Sequence, residues 1–346
     1  MRVFVEDETL TLIADAIREK NGTENTYKPS EMPAAISAIE TGGSGDANGV
    51  LSRTVTEYSN NTLTSVGNYG FYHYDTLTSV DLPACTSIGE NAFHFCDSLT
   101  TVDLPVCETI GTYAFYDCDA LTTINLPVCE TVGERAFYSC DALTTIDLPG
   151  CTSIDTYAFY NCKSLTTVNL PICTTIESTA FYNCGATTID LPGCTRIRTF
   201  AFDNCRALTT VNLPVCTTID NNAFQYCTSL TSINLPVCKI IGSYTFRYCS
   251  ALTSIDLPVC NRIESYTFHG CSRLKTVILR RETMVPLSNV NAFTNTPIAG
   301  YTDYTDGELG YIYAPSALID TYKADSNWST YANQFRAIED YPDICG

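Results

Sequence analysis

Positive charge is scarce in this sequence of 346 residues, in which lysine and arginine together number 19 against 38 aspartates and glutamates. The resulting net charge of −19 would repel the phosphates of nucleic acids and the anionic surface of membranes, so neither partner is expected. No apolar run approaches the length of about 18 residues that suggests a membrane-spanning helix, and the first residues lack the apolar core of a signal peptide. We therefore expect no membrane insertion, and synthesis in the cytoplasm without export by the usual route.

The common spacings of metal ligands are also absent. No C-x-x-C occurs, and the three histidines are His73, His94 and His269. Zinc is therefore a weak alternative at the cysteines, and we expect no metal and no cofactor. Hydrophobic residues make up 45% of the chain and charged residues only 16%, a balance that excludes wholesale disorder.

Leucine recurs every 22 residues in an unchanging frame. Its positions are Leu77, Leu99, Leu121, Leu143 and Leu165, and then Leu208, Leu230, Leu252 and Leu274. Residues 77–85 have the spacing L-x-x-L-x-L-x-x-C, which is the strand signature of leucine-rich repeats. Because Val80 and Leu82 alternate with Ser79 and Asp81, a short strand is predicted to bury the first pair and expose the second. The repeats predict about ten stacked coils around a shared core.

The second half of each unit is also regular, and Ile88 to Leu99 has the pattern I-G-x-x-A-F-x-x-C-x-x-L. The units from about residue 50 to 279 resemble the BspA-like leucine-rich-repeat family. This resemblance implies a β-rich solenoid, wound as a right-handed coil, with a role in cell-surface adhesion and ligand binding and with no catalytic residues. One unit departs from the pattern, because Cys184 and Cys194 are ten residues apart rather than eleven and the leucine near Thr187 is missing. We expect a local irregularity there.

The first 42 residues differ from the repeats. Residues 9–20 predict an amphipathic helix that ends at Asn21-Gly22, and Ser30 begins a second short helix. The stretch ETLTLIADAIREKNGTENTYKPSEMPAAISAIE resembles an N-terminal module of bacteriophage tail and tail-fibre proteins, which implies attachment to a virion through a tail structural protein. Two helices in about 40 residues bury too little surface to stand alone, so we expect them to dock on a partner.

The other end predicts a C-terminal cap, because Tyr311 to Glu339 is rich in the aromatic and aliphatic residues that a solenoid needs to cover its last coil. The stretch YAPSALIDTYKADSNWSTYANQ resembles a segment that ends many BspA-like proteins. The predicted domains are a helical attachment module at residues 1–42, a flexible linker at 43–49, the solenoid at 50–279 and the cap at 280–346.

Nineteen cysteines would ordinarily indicate a disulfide scaffold, but eighteen of them fall in two columns of the repeat. Equivalent side chains on neighbouring coils are parallel and about 4.8 Å apart, whereas a disulfide needs converging β-carbons about 3.8 Å apart. We therefore predict buried free thiols that act as small hydrophobes. Cys345 lies outside the columns and could be an exposed thiol or a cross-link between chains, which leaves a homo-oligomer open.

Comparison of the units within this chain separates constant positions from variable ones. The exposed strand positions hold almost only Thr or Ser and Asp or Asn, which favours hydrogen-bonded ladders on the concave strand face. The alternatives there are a calcium site or a glycosidase-like carboxylate pair formed by neighbours such as Asp81 and Asp103.

Three variable columns lie on the returning half of each coil, and we call them the half-coil face. The first column is Asn91, Tyr113, Arg135, Tyr157, Thr179, Phe200, Asn222, Tyr244 and Tyr266. The second column is His94, Tyr116, Tyr138, Tyr160, Tyr182, Asp203, Gln225, Arg247 and His269. The third column is Phe95, Asp117, Ser139, Asn161, Asn183, Asn204, Tyr226, Tyr248 and Gly270.

The half-coil face is rich in tyrosine among Asn, Ser, Asp and Arg, a content typical of antibody paratopes. The predicted ligand-binding residues are Tyr113, Tyr116, Tyr138, Tyr157, Tyr160, Tyr182, Tyr244, Tyr248 and Tyr266. The alternative is that tyrosine favours β-type surfaces and stacks on its neighbours for stability alone.

These features favour a non-enzymatic binding or adhesion protein over an enzyme. The function we expect is that of a phage tail-associated receptor-binding protein, located on the virion or outside the cell after lysis, which recognises a host cell-surface protein or carbohydrate. The alternative is an intracellular leucine-rich-repeat scaffold or effector that binds a protein partner through the concave strand face. A carbohydrate-active enzyme is the weakest interpretation.

Overall fold

A computed structural model describes residues 55–303 and 307–345, except for the side chain of Cys345. These residues form a β-solenoid of about 13 turns with repeats of roughly 22 residues. The predicted leucine-rich-repeat solenoid is therefore confirmed, with more turns than expected. The predicted attachment module at residues 1–42 and the linker at 43–49 lie outside the described residues, and the domain boundaries stay a prediction.

The described residues divide into two compact units, those up to 151 together with 161–165, and 152–160 together with those from 166 onward. Within the first unit, β1, β3, β5 and β7 form one parallel ladder, and β2, β4, β6 and β8 form a second. The strands of this unit are β1 Glu57–Ser59, β2 Ser65–Val66, β3 Ser79–Asp81, β4 Ser87–Ile88, β5 Thr101–Asp103, β6 Thr109–Ile110, β7 Thr123–Asn125, β8 Thr131–Val132 and β9 Thr145–Asp147.

The second unit repeats this arrangement. Its strands are β10 Ser153–Ile154, β11 Thr167–Asn169, β12 Thr175–Ile176, β13 Thr188–Asp190, β14 Arg196–Ile197, β15 Thr210–Asn212, β16 Thr218–Ile219, β17 Ser232–Asn234, β18 Ile240–Ile241, β19 Ser254–Asp256, β20 Thr276–Ile278, β21 Tyr311–Ala314 and β22 Phe335–Ala337. The strands β10, β12, β14, β16 and β18 pair in parallel, as do β13, β15 and β17. The last parallel sheet runs from β19 through β20 and β21 to β22.

Helix is confined to the C-terminal part of the described chain. The α-helices are Ile319–Ala324 and Pro342–Cys345, and the 3-10 helices are Val290–Phe293, Pro297–Ala299, Ser316–Leu318, Trp328–Gln334 and Ile338–Asp340. Trp328 and Tyr322 are fully buried there, and the Trp328 indole donates to the Val285 carbonyl at 2.8 Å. None of the helices in the described ranges is both long and apolar enough to cross a membrane.

The strands of the regular coils alternate as their sequence predicts, whereas β20 and β21 bury adjacent residues. In β5 the side chain of Val102 is buried, while Thr101 and Asp103 on either side of it are exposed. The parallel register sets Val102 beside Val80 on one neighbouring coil and beside Ile124 on the other. Aliphatic side chains therefore stack on their own counterparts, which favours a branched residue at this position in every coil.

The returning half of each coil is held by the same coil-to-coil pairing. The backbone N–H groups of Tyr113, Phe115 and Asp117 donate to carbonyls of the next coil, at 2.9, 2.7 and 2.8 Å. The Phe115 ring stacks on Phe93 with centroids 5.0 Å apart and planes 2° from parallel. The backbones come close enough here that a β-carbon on Gly111 would lie 2.7 Å from a backbone carbon of the preceding coil. This packing fixes the position of the backbone that carries the variable side chains between these residues.

The eighteen column cysteines are buried free thiols, as predicted. In one column the Cys118 thiol donates to the Phe93 carbonyl at 3.0 Å, and in the other the Cys107 thiol donates to the Thr109 carbonyl at 3.3 Å. Burial raises the pKa of Cys107 to about 12, and it raises the pKa of Cys118 well above its ordinary value. These thiols are therefore un-ionised at neutral pH and poorly nucleophilic.

The expected irregularity lies where one residue is missing after Cys184. Ala186 takes the fully buried position that leucine holds in the regular coils. Across the deletion Thr175 of β12 still pairs with Arg196 of β14, whereas β13 pairs with the following strand β15 and not with β11. The missing residue thus leaves the pairing of β12 with β14 in place.

One carboxyl group is buried where the second column passes from tyrosine to other residue types. Asp203 is 6% exposed, and its Oδ1 atom has no hydrogen-bond partner within the described ranges. Burial raises the pKa of this group to about 7, and the backbone N–H of Asn204 opposes the shift only in part.

We expect the column thiols to be inaccessible in the folded protein, because they are buried and protonated. Alkylation by iodoacetamide without denaturant, counted by mass spectrometry of the intact chain, should label no column cysteine. The same treatment in denaturant should label all eighteen of them. Extensive labelling of the native protein, or thiols still blocked after denaturation without reductant, would contradict this account.

Asp203→Asn should stabilise the protein at high pH. The unfolded carboxyl ionises near pH 4 and the folded one near pH 7, so native stability falls as pH rises through this window and levels off above it. The variant lacks this loss. The difference between its free energy of unfolding and that of the unaltered protein should therefore grow by about 2 kcal/mol between pH 5 and pH 8. Denaturation midpoints at the two pH values measure this, with Asp147→Asn as an exposed control that should behave alike at both. An advantage independent of pH would refute the burial argument.

Candidate functional site

All nine predicted binding tyrosines lie on the half-coil face and are half-buried. Part of each side chain is therefore covered by the protein and the remainder is open to solvent. Half-buried aromatic rings combine rigidity with an accessible hydroxyl group, which suits a contact surface. Their role in ligand binding stays a prediction.

In the first unit three of these tyrosines are in contact. The rings of Tyr116 and Tyr138 stack with centroids 4.6 Å apart and planes 6° from parallel, and Tyr113 lies 5.4 Å from Tyr116. The guanidinium group of Arg135 lies 5.4 Å from the centre of the Tyr113 ring and donates to its hydroxyl group at 2.9 Å. The first and second columns thus form one continuous aromatic patch in this unit.

The second unit carries two further patches. Near its beginning, Tyr160 stacks on Tyr182 at 4.8 Å, and Tyr157 lies 5.8 Å from Tyr160. Nearer its end, stacking joins Tyr244 to Tyr266 at 5.0 Å and Tyr226 to Tyr248 at 5.1 Å. The predicted tyrosines therefore form one patch in the first unit and two in the second, and the stacked rings within each patch belong to the same column.

The backbone conformation of the first and third columns differs from that of the second. Both columns have positive φ angles in every regular coil, for example 56° at Tyr113 and 64° at Asn161. This left-handed conformation costs most residues about 1 kcal/mol, whereas glycine, asparagine and aspartate adopt it readily. The Asn, Asp and Gly of the third column therefore have a conformational explanation, and they are weaker evidence of binding than their polarity suggests.

The first column does not follow this backbone preference. Tyrosine stands there at four left-handed positions, with Phe200, Arg135 and Thr179 at three others. These side chains are held at a conformational cost that asparagine would avoid. Stacking offsets part of that cost at Tyr244 and Tyr266, whereas Phe200 is 38% exposed. The first column is thus the part of the surface that local backbone preference explains least.

Two polar residues of the second column, His94 and Arg247, are partly engaged by neighbouring side chains. His94 Nδ1 is paired with Asn91 at 2.6 Å but its Nε2 has no partner among the described residues, and burial, with the nearby His73, lowers the pKa of His94 to about 4. Arg247 lies over two rings, 4.7 Å from the centre of Tyr248 and 5.5 Å from that of Tyr244. The site prediction omitted Arg247 and Tyr226, although a cation or an aromatic residue next to the tyrosine columns would have indicated both.

The concave strand face has a different character. Asn125 donates to Asp103 at 2.7 Å, Asn212 to Asp190 at 2.9 Å, and Asn234 to Asn212 at 2.8 Å. The predicted hydrogen-bonded ladders are present at these pairs. A shallow groove of about 500 Å³ also runs over β3, β5 and β7 in the first unit. Within the described ranges, no three His, Cys, Asp or Glu side chains are grouped as metal ligands.

Comparison with known proteins agrees with this geometry. The family model described as a BspA type leucine rich repeat region of six copies matches residues 64–187, 130–237 and 174–299. No curated protein matches the chain.

Several solved structures are similar to this chain, and the first of them shows the same fold. A leucine-rich repeat protein from Bacteroides ovatus is 23% identical, with 82% of this chain and 84% of that one covered and a TM-score of 0.52. A leucine rich cell surface protein from Faecalibacterium prausnitzii is 27% identical over 82% and 89% of the two chains, with a TM-score of 0.45. A leucine-rich repeat protein from Eubacterium ventriosum is 22% identical over 70% and 83%, with a TM-score of 0.42.

The family model covers well over half of the chain, and its matches coincide with the coils that carry the strand ladders and the stacked phenylalanines. This chain belongs to the BspA-type leucine-rich-repeat family.

Proposed function

We propose that this protein is a non-enzymatic receptor-binding protein that recognises a host cell-surface protein or carbohydrate through its half-coil face. Proteins of this family are generally non-enzymatic binding proteins. The observation that supports the half-coil face most directly is the tyrosine of the first column, which stands at left-handed backbone positions where it is conformationally disfavoured. A residue kept against local preference is a candidate for function.

The patch of the first unit shows how such a surface would bind. Tyr116 and Tyr138 stack on each other, so their orientation is set before a ligand arrives. Preorganised aromatic side chains lose little conformational entropy on binding, which is why tyrosine is effective in recognition surfaces. The same parallel rings offer flat faces and hydroxyl groups to sugars as well as to protein loops.

A second candidate is a protein-binding site on the concave strand face. Leucine-rich-repeat proteins bind protein partners in general, and the groove over β3, β5 and β7 is an accessible concavity. The hydrogen bonds among the ladder residues argue against a binding site on this face, because a ligand would compete with those bonds. The near-identity of successive coils on this face also gives it little capacity to encode a specific partner.

The proposed location is the tail of a phage particle, with residues 1–42 as the attachment module. The support for this part comes from the sequence of those residues, which lie outside the described structure. Two short helices need a partner surface, and a glycine-rich linker would let the solenoid move independently of it.

Replacing tyrosines of the half-coil face should abolish binding, and stability should fall far less than binding does. The variant combines Tyr113→Asn and Tyr157→Asn, which suit left-handed positions, with serine at Tyr116, Tyr138, Tyr160 and Tyr182. Interface tyrosines commonly contribute about 2 kcal/mol, so two true anchors among these six would lower affinity by roughly a thousandfold. Binding of purified protein to host cells measures the effect.

The matched control places alanine at six positions of the concave strand face. These are Thr101, Asp103, Thr123, Asn125, Thr145 and Asp147. The control should keep its affinity within about threefold, which corresponds to less than about 0.7 kcal/mol. Loss of binding in the control with retention in the tyrosine variant would instead assign recognition to the concave strand face.

Deleting residues 1–42 should remove the protein from purified phage particles while leaving the solenoid almost as stable as before. The physical reason is that a docking module connected by a flexible linker contributes little to the solenoid core. Immunodetection on particles and a thermal melt measure the two effects. A fall in melting temperature of more than about 5 °C would mean that these residues cap the first coil, which would oppose the attachment role.

A further inference from the structure

Phe200 differs from the other aromatic residues of the first column, because no side chain of its own coil holds its ring. Each of the others contacts the residue three positions later. These contacts are Tyr113 with Tyr116 at 5.4 Å, Tyr157 with Tyr160 at 5.8 Å, Tyr244 with the Arg247 guanidinium at 5.5 Å, and Tyr266 with His269 at 5.7 Å. The residue three positions after Phe200 is Asp203, and within the described ranges no aromatic ring or guanidinium group contacts the Phe200 ring.

The coils on either side of Phe200 carry short side chains at the equivalent position. Backbone hydrogen bonds join the coil of Phe200 to the coil of Thr179 and to that of Asn222. Thr179 is buried, and the Asn222 amide donates to the Gln225 side chain of its own coil. Phe200 is 38% exposed, a larger fraction than that of any predicted binding tyrosine. The aromatic side chain of Phe200 is therefore the most accessible one in the first column.

Phe200 is also unfavourable for the backbone at its position. Its φ angle is 59°, in the left-handed region that asparagine adopts readily, and asparagine stands at the same repeat position as Asn91 and Asn222. A single exposed apolar residue is ordinary on a protein surface. Phe200 combines that exposure with a disfavoured backbone conformation and the lack of an aromatic or cationic neighbour, so packing within the chain does not explain it. Such a residue is a candidate for function.

The charged groups that precede Phe200 in its coil are paired with those of both neighbouring coils. Arg198 lies 3.4 Å from a carboxylate oxygen of Glu177 in the preceding coil and 3.9 Å from one of Asp220 in the following coil. Arg196 also donates to Asp220, at 3.0 Å. Two cations thus balance two carboxylates here, although the whole chain has a net charge of −19. An apolar centre beside a polar border is the arrangement around the residues that dominate protein–protein interfaces.

We propose that Phe200 is an anchor of recognition on the half-coil face and inserts into an apolar pocket of a partner protein. Phenylalanine has no hydroxyl group that would need a hydrogen-bonding partner in such a pocket, and removal of its ring from water favours binding. A protein pocket can enclose the whole ring, whereas a sugar would cover only one of its faces. This inference rests on the proposed function, because Phe200 belongs to the half-coil face, and it narrows the ligand class to protein.

The test measures the affinity of the full chain for cells that it binds, well below its melting temperature. Phe200→Asn removes the ring with a residue that suits the left-handed backbone, and it should weaken binding about thirtyfold. Its melting temperature should stay within about 3 °C of that of the unaltered protein, because relief of the backbone strain offsets the lost contacts of the ring. Ile240→Asn is the matched control, because Ile240 is 53% exposed but lies on β18, outside the half-coil face. The control should change affinity by less than about threefold.

Treatment of the cells identifies the class of partner. Cells treated with protease should lose binding, whereas cells whose glycans are oxidised with periodate should keep it. Unchanged affinity of Phe200→Asn, or binding that survives protease and is lost after periodate, would overturn the inference. If Phe200→Asn keeps its affinity while the variant with six replaced tyrosines loses binding, only the anchor assignment fails. If both variants keep full affinity, the half-coil face is not the binding surface and the proposed function fails as well.

Discussion

The spacing of about 5 Å between successive coils is the constraint on which the rest of this structure depends. Because each buried residue packs on its own counterpart, a side chain must fit against a copy of itself as well as against the core. Phe93 and Phe115 satisfy this by parallel stacking at 5.0 Å, and the branched residues of the strands satisfy it by pairing in register. The thiols satisfy it as compact hydrophobes that donate to backbone carbonyls. Repetition of the sequence is thus a packing requirement.

The same constraint leaves only some positions free to vary. Core positions and the concave ladder are tied to neighbouring coils, whereas the half-coil face changes from tyrosine to asparagine, arginine or histidine along the chain. Its backbone is nonetheless constant, with paired left-handed residues in every regular coil. A rigid and repeated backbone that carries variable side chains is the physical basis for assigning recognition to this face.

Much of the fold could be predicted from sequence because the period and the spacing of Leu, Pro, Phe and Cys each point to the same coil. The strand of Thr101–Asp103 and the burial of the thiols are direct consequences of that pattern. The left-handed backbone at Tyr113 could not be predicted, because tyrosine gives no local signal for it. The burial of Asp203 could not be predicted either, because the same column holds half-buried tyrosines in the preceding coils.

For the candidate site, the sequence indicated the tyrosine columns but not which rings touch. Contacts such as Tyr116 with Tyr138 follow from register, whereas the cation of Arg247 over Tyr248 depends on side-chain torsions that no pattern encodes. The close approach of the Tyr248 ring to Gly270 depends on the absence of a side chain, which becomes meaningful only once that ring is placed.

The most direct test of the central claim is hydroxyl-radical footprinting of the full protein, with and without envelope fragments of cells that it binds. Mass spectrometry would compare oxidation of the half-coil tyrosines with that of the exposed valines Val106 and Val128, which lie just beyond the strands. The account predicts protection of a contiguous group that includes Tyr116 and Tyr138 or Tyr160 and Tyr182, with unchanged oxidation of the valines. Protection of the valines with unchanged tyrosine oxidation would contradict it.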